Sequence, residues 1–253
     1  MSRLTNILTM VIIVATCTLA KAQTLGAYPD GLSDAIAEQL TNDVNTAETT
    51  TWKVNYERRT IEKGEVVYRT ISKFDNKGNI LSIEKKDKDG QTKSLTTYYY
   101  EDGKKISSTE SSQGGDKVTQ TSYTYDDKGR MTEMLLKDYE GTEISRTTIE
   151  TGSDYTTTRE QFRDGETLET TMKYDKNLRL NRVSINDGTS NREMRFKIGP
   201  DGLPTKGLVK DSNGEKKQLR FTYEKDTKGN WTKKTVYLDD KVIETSERVI
   251  NYR

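Results

Sequence analysis

The chain has 253 residues, 32% of them charged, with 41 basic against 40 acidic side chains. It has no histidine and a single cysteine, which excludes Ser-His-Asp and Cys-His catalytic pairs and His-ligated zinc. A neutral balance with the two signs interspersed along the sequence also argues against a nucleic-acid partner, which needs a basic face.

The first 22 residues read as an export signal: Arg3 supplies a positive start, Ile7 to Leu19 an apolar stretch, and Ala20-Lys21-Ala22 a small-residue cleavage site. The apolar run is too short and too interrupted by Thr9, Thr16 and Thr18 to span a bilayer. Cleavage before Gln23 leaves 253 − 22 = 231 residues without a transmembrane span or a cysteine, hence without a disulfide or a thiolate metal site. The expected location is the periplasm, the cell surface or the medium. A lipoprotein anchored through Cys17 is the lesser reading, because Thr16 stands where a smaller residue is usual.

Residues 23–51 lack the punctuation of the rest, and Leu32, Ala35, Ile36 and Leu40 fit one helical stripe, so a short helix or linker is expected there. Residues 52–253 are expected to form one repetitive domain. Turn signals recur about every dozen residues. They start at Lys63-Gly64, pass through Asp75-Asn76-Lys77-Gly78, Asp126-Asp127-Lys128-Gly129 and Asp175-Lys176-Asn177, and end at Asp239-Asp240. Fifteen such turns predict about 16 short strands, and loops this short make neighbours antiparallel. Between turns the residues alternate: Leu219, Phe221 and Tyr223 point one way, Arg220, Thr222 and Glu224 the other. The expected fold is all-β: an antiparallel meander in one elongated, twisted or curled sheet, with a barrel or sandwich as the alternative.

One motif recurs in the turns: an aromatic residue, an acid, two polar residues, glycine, a polar residue and an apolar one. Tyr125-Asp126-Asp127-Lys128-Gly129-Arg130-Met131 is the fullest copy, and Phe74-Asp75 with Gly78 is a second. Tyr174-Asp175 begins a third in which Leu178 replaces the glycine, and Tyr223 with Gly229 begins a lengthened fourth. These residues carry a resemblance to the YD-repeat, or Rhs-type, family, whose repeats are stacked β-hairpins. With the signal peptide and the closing Gly229-Asn230-Trp231, the chain also looks like small exported proteins of the Bacteroidetes. The resemblance covers about 51–253 and implies repeat-structural roles for Phe74, Gly78, Tyr125, Asp126, Gly129, Tyr174, Asp175, Tyr223 and Gly229. It implies no toxin and no processing activity.

Without histidine, cysteine or a phosphate-binding glycine loop, the remaining catalytic option is a carboxylate pair of the glycosidase kind, which needs two acids converging in a cleft. Sequence pairs such as Asp126-Asp127 and Asp239-Asp240 sit in turns, where they cap backbone. Asp87-Lys88-Asp89-Gly90 is too short for a calcium loop, and no metal or cofactor is expected. The aromatic residues Tyr98, Tyr99, Tyr100, Tyr123, Tyr125, Trp231 and Tyr237 are the candidate binding surface, with glycans or an envelope protein as partners. The expected function is a non-catalytic exported binding or scaffold module of the bacterial envelope; the alternative is a carboxylate-dependent carbohydrate-active enzyme.

Overall fold

A computed structural model describes residues 33–253, apart from 42, 58, 59 and 116, and leaves aside the side chains of 55–62. The export signal and the first part of the expected linker lie outside the described residues.

Sixteen strands run β1 Val44–Glu57, β2 Thr60–Phe74, β3 Ile80–Lys86, β4 Thr92–Glu101, β5 Lys104–Ser112, β6 Val118–Tyr125, β7 Met131–Lys137 and β8 Glu143–Thr151. They continue as β9 Tyr155–Phe162, β10 Thr167–Tyr174, β11 Leu180–Asn186, β12 Asn191–Ile198, β13 Pro204–Lys210, β14 Lys216–Lys225, β15 Trp231–Leu238 and β16 Lys241–Tyr252. Each pairs antiparallel with its sequence neighbours, and β1 pairs with β16, so the meander closes into a barrel with no free edge. The expectation of 16 antiparallel strands holds, and the favoured open sheet gives way to the barrel. Closure satisfies the two backbone edges that an open sheet would leave unpaired.

Two boundaries also differ from expectation. Lys63-Gly64 lies inside β2, not in a turn, because β1 and β2 form a long bulged hairpin that continues past Lys63, paired with Val54, to Glu57 and Thr60. Strand β1 begins at Val44, ahead of the expected domain start at 52. The expected helix is a single turn, α1 (Asp34–Ala37), capped by Ser33, whose hydroxyl accepts the Ile36 N–H at 3.3 Å.

The four motif hairpins share one chemistry. The Asp126 carboxylate accepts the N–H groups of Lys128 and Arg130 at 3.0 and 2.9 Å, and Gly129, at φ +80°, closes the turn onto the Asp126 carbonyl. Strand direction divides the turns between two rims. β1 starts and β16 ends at what we term the terminal rim, and the motif turns after Phe74, Tyr125, Tyr174 and Tyr223 all lie there.

Register and burial assign the faces. Inward side chains form three apolar clusters along the wall. The largest contains Met172, Tyr174, Val183, Met194, Val209, Leu219, Phe221 and Val236. A second joins α1 to the wall through Ala35, Leu40, Val44, Phe74, Ile80, Ile83 and Tyr98, and a third holds Met131 and Ile149. Met172, Val183, Met194 and Leu219 are at most 2% exposed, so other side chains cover this inner wall. The outer wall is polar and carries ion pairs along its strands, among them Arg146 with Glu133 at 2.8 Å and Arg159 with Glu169 at 2.6 Å.

Candidate binding site at the capped rim

Residues 33–41 lie across the terminal rim as a cap, anchored at both ends by polar bonds to the barrel. At one end Asp34 accepts the Ile80 N–H at 2.9 Å and the Tyr100 hydroxyl at 3.2 Å, and the Ala35 N–H donates to the Gly78 carbonyl. Lys105, on β5, stands 3.5 Å from Asp34. At the other end the buried Asn230 accepts the Thr41 N–H at 2.9 Å and donates to the Thr41 hydroxyl at 3.0 Å and to Tyr252 at 2.8 Å. Between them Glu38 accepts the Ser72 hydroxyl, and its carbonyl accepts Arg248 at 3.2 Å.

These anchors set the protonation of the groups beneath the cap. Burial raises the Glu38 carboxyl above its ordinary value, opposed by the Arg248 guanidinium and the Ser72 hydroxyl. Burial also lowers Arg248 to about 10, which leaves it charged at neutral pH. Lys105 is lowered by burial, against the attraction of Asp34.

The other side of the cap roofs a cavity of about 340 Å³, within the usual range for small-molecule sites. Ile36, Leu40, Leu178, Leu180, Phe196, Ile198, Leu203 and Pro204 make it mainly apolar, and Gln39, Thr41, Tyr174, Asn177, Arg179, Asp201 and Asn230 add polar groups. Three motif-type turns, 175–179, 199–203 and 226–230, form its floor and sides. Asp201 is the only acid among the described lining residues. Burial opposes its ionisation, but the Lys225 ammonium at 2.6 Å and the Leu203 N–H hold its carboxyl below the usual range.

Backbone conformation at this cavity departs from local preference. Five described non-glycine residues have positive φ. Asp102, Asp239 and Asp240 occupy tight hairpins, where aspartate tolerates that conformation. The other two, Leu178 at φ +58° and Gln39 at φ +60°, both line the cavity. Leu178 sits where Gly78, Gly129 and Gly229 stand in the other motif turns, so a branched apolar side chain is held in a conformation that glycine takes freely.

The aromatic residues expected to form an exposed binding face are divided by the barrel. Tyr98, Tyr100, Tyr123 and Tyr125 face inward, and three of them surround Lys105, whose ammonium is 4.5 Å from the Tyr98 ring and 6.0 Å from those of Tyr100 and Tyr123. The Tyr125 hydroxyl donates to the Lys105 carbonyl at 2.8 Å. Tyr99 points outward and is 46% exposed. Trp231 is buried beneath the Arg248 guanidinium, 3.7 Å from its ring, and Tyr237 lies on the outer wall under Arg220 at 3.5 Å. Closure of the sheet corrects the single-face picture: four of the five clustered tyrosines line the interior. The sequence pointed to Tyr174 as a motif residue, to Leu178 in place of the motif glycine and to the stripe of Ala35, Ile36 and Leu40, but gave none of them, nor Arg179, a binding role.

No family model and no curated protein matches the chain. Among solved structures it is similar to a porin-like protein from Bacteroides uniformis, at 16% identity and a TM-score of 0.50, covering 83% of this chain and 98% of that one. A porin-like protein from Bacteroides vulgatus matches at 12% identity and a TM-score of 0.41, covering 83% and 99%. The first likeness supports the closed all-β barrel. No described helix is long and apolar enough to cross a membrane, which says nothing of a barrel.

Proposed function

We propose that this chain is an exported, non-catalytic binding module of the bacterial envelope that takes a small amphipathic ligand into the capped rim of a water-facing barrel. The observation that carries the reading is Leu178. A left-handed leucine costs on the order of 1–2 kcal/mol, and such strain collects at functional sites. Here its side chain lines the cavity.

Channel activity, which the neighbours' description invites, has the wall against it. A membrane barrel presents an apolar band to lipid and a polar lumen. This barrel lacks that outer band where Arg146, Arg159 and Arg195 project outward from strands, and along β10 to β15 methionine, valine and leucine pack inside. Each arginine would cost about 2–4 kcal/mol near a bilayer midplane. Against the glycosidase alternative, Asp201 is the only acid among the described lining residues and is held ionised, and Asp34 and Glu38 are engaged in docking the cap. Kinship with hairpin-repeat proteins belongs to the same proposal, supported by the gathering of all four motif copies on one rim.

The test uses 1-anilinonaphthalene-8-sulfonate, whose rings suit the apolar lining and whose sulfonate suits Arg179. Calorimetric titration should give one saturable site on the wild type. Leu178→Gly should weaken it by about tenfold, roughly 1.4 kcal/mol, and at the same time raise the melting temperature by relieving the backbone. A variant that binds as the wild type does would remove the cavity from the account.

A further inference from the structure

Charges that alternate along the sequence are sorted by strand register into a basic field on the outer wall of β10 to β14. Lys173 on β10 pairs with Arg182 on β11, and Arg182 pairs with Arg195 on β12. Two residues further along β12, Lys197 pairs with Lys206 on β13, which pairs with Arg220 on β14. Inward neighbours such as Met172, Val183, Met194, Phe196 and Leu219 fix all six cations on the outer face. Among the described residues only Arg195 of the six forms an ion pair, with Glu193. That carboxylate already answers to several cations: the Arg195 hydrogen bond leads in holding it low, against burial, with Arg182 and Lys210 adding to it.

Like charges directly opposite in a sheet destabilise it. Elsewhere the same wall sets opposite signs face to face, as with Arg159 and Glu169. Two adjoining rows of facing cations are therefore a cost that the fold does not require, and an anionic partner would offset it. We propose that this face binds a linear, carboxylate-bearing polysaccharide lying across the strands.

The geometry favours that partner over other polyanions. Cations succeed one another by about 4.8 Å along each row, the strand spacing. This suits a polymer with one charge per sugar ring better than duplex DNA, which carries one per roughly 1.7 Å. A polymer can follow the convex wall, where a flat bilayer touches a narrow line. The second row ends on Tyr237, which pairs with Arg220 and offers a ring edge for a sugar. The site is separate from the capped cavity and does not depend on it.

The experiment applies the full mature chain to immobilised polygalacturonate, with neutral dextran, duplex DNA and phosphatidylglycerol vesicles in parallel. We expect retention on polygalacturonate that falls as salt screens the charges. The Arg182→Glu/Lys206→Glu double variant should bind roughly tenfold or more weakly, whereas Arg159→Glu, outside the field, should bind as the wild type does. Arg182→Gln should raise the melting temperature by roughly 1–2 °C, as expected when facing like charges are separated. Equal retention on dextran, indifference to the double reversal, patch-dependent binding to DNA or vesicles without polygalacturonate, or a lowered melting temperature in Arg182→Gln would each overturn the proposal. Circular dichroism of each variant separates lost binding from lost fold.

Discussion

Lys105 is held in place by aromatic rings and one carboxylate, Asp34, in a setting where an ammonium is expensive to bury. Removing one member of such a pair leaves the other charge buried and alone, which costs about 3–5 kcal/mol, whereas removing both is often nearly neutral. Lys105→Met should therefore destabilise strongly, and Asp34→Asn combined with Lys105→Met should recover most of the loss in urea unfolding. Glu38 gives a prediction in pH. Its folded pKa is raised by burial, so the folded state holds the proton more tightly than the unfolded chain. The associated stability is present in acid and is lost as pH rises through the folded value. As pH rises from the ordinary carboxylate range through the raised folded value, the melting temperature of the wild type should fall relative to that of Glu38→Gln.

At the level of the hairpin, glycine and aspartate divide the work unequally. Gly129 occupies a left-handed position, and a Cβ there would also meet the Lys104 side chain at 3.3 Å. Asp126 accepts two backbone N–H groups, whereas Asp127 has no described hydrogen bond that caps the turn. Gly129→Val should lower the melting temperature most, Asp126→Ala less, by about 1 kcal/mol or so, and Asp127→Ala least, as read by thermal denaturation. Strands and turns were legible in the sequence because the rules that make them are local: alternation sets the faces, and aspartate with glycine sets the hairpins. Gly64 misled because glycine also occurs within a long bulged strand. The helix stripe was legible too: among the described residues of that stretch Asp34–Ala37 form one helical turn.

Closure of the molecule could not be read in this way. It rests on pairs remote in sequence, such as the hydroxyls of Thr51 and Ser246 at 2.8 Å across the seam of β1 and β16. Alternation shows that a strand has an apolar and a polar face, but not which face a curved sheet turns inward. For the same reason the sequence groups Tyr98, Tyr100, Tyr123 and Tyr125 as aromatic candidates without showing that they line the interior. The cavity is not legible because it is assembled from three turns and a cap that lies more than a hundred residues before them in the sequence. The outward orientation of the charged strand faces, with a packed apolar stretch of inner wall behind β10 to β15, is the central claim, and vesicle flotation tests it most directly. The mature chain, folded without detergent, is mixed with zwitterionic phosphatidylcholine vesicles and floated through a density gradient. It should stay in the aqueous fractions with its β-sheet circular dichroism intact; co-flotation with vesicles that become leaky to ions would contradict the account.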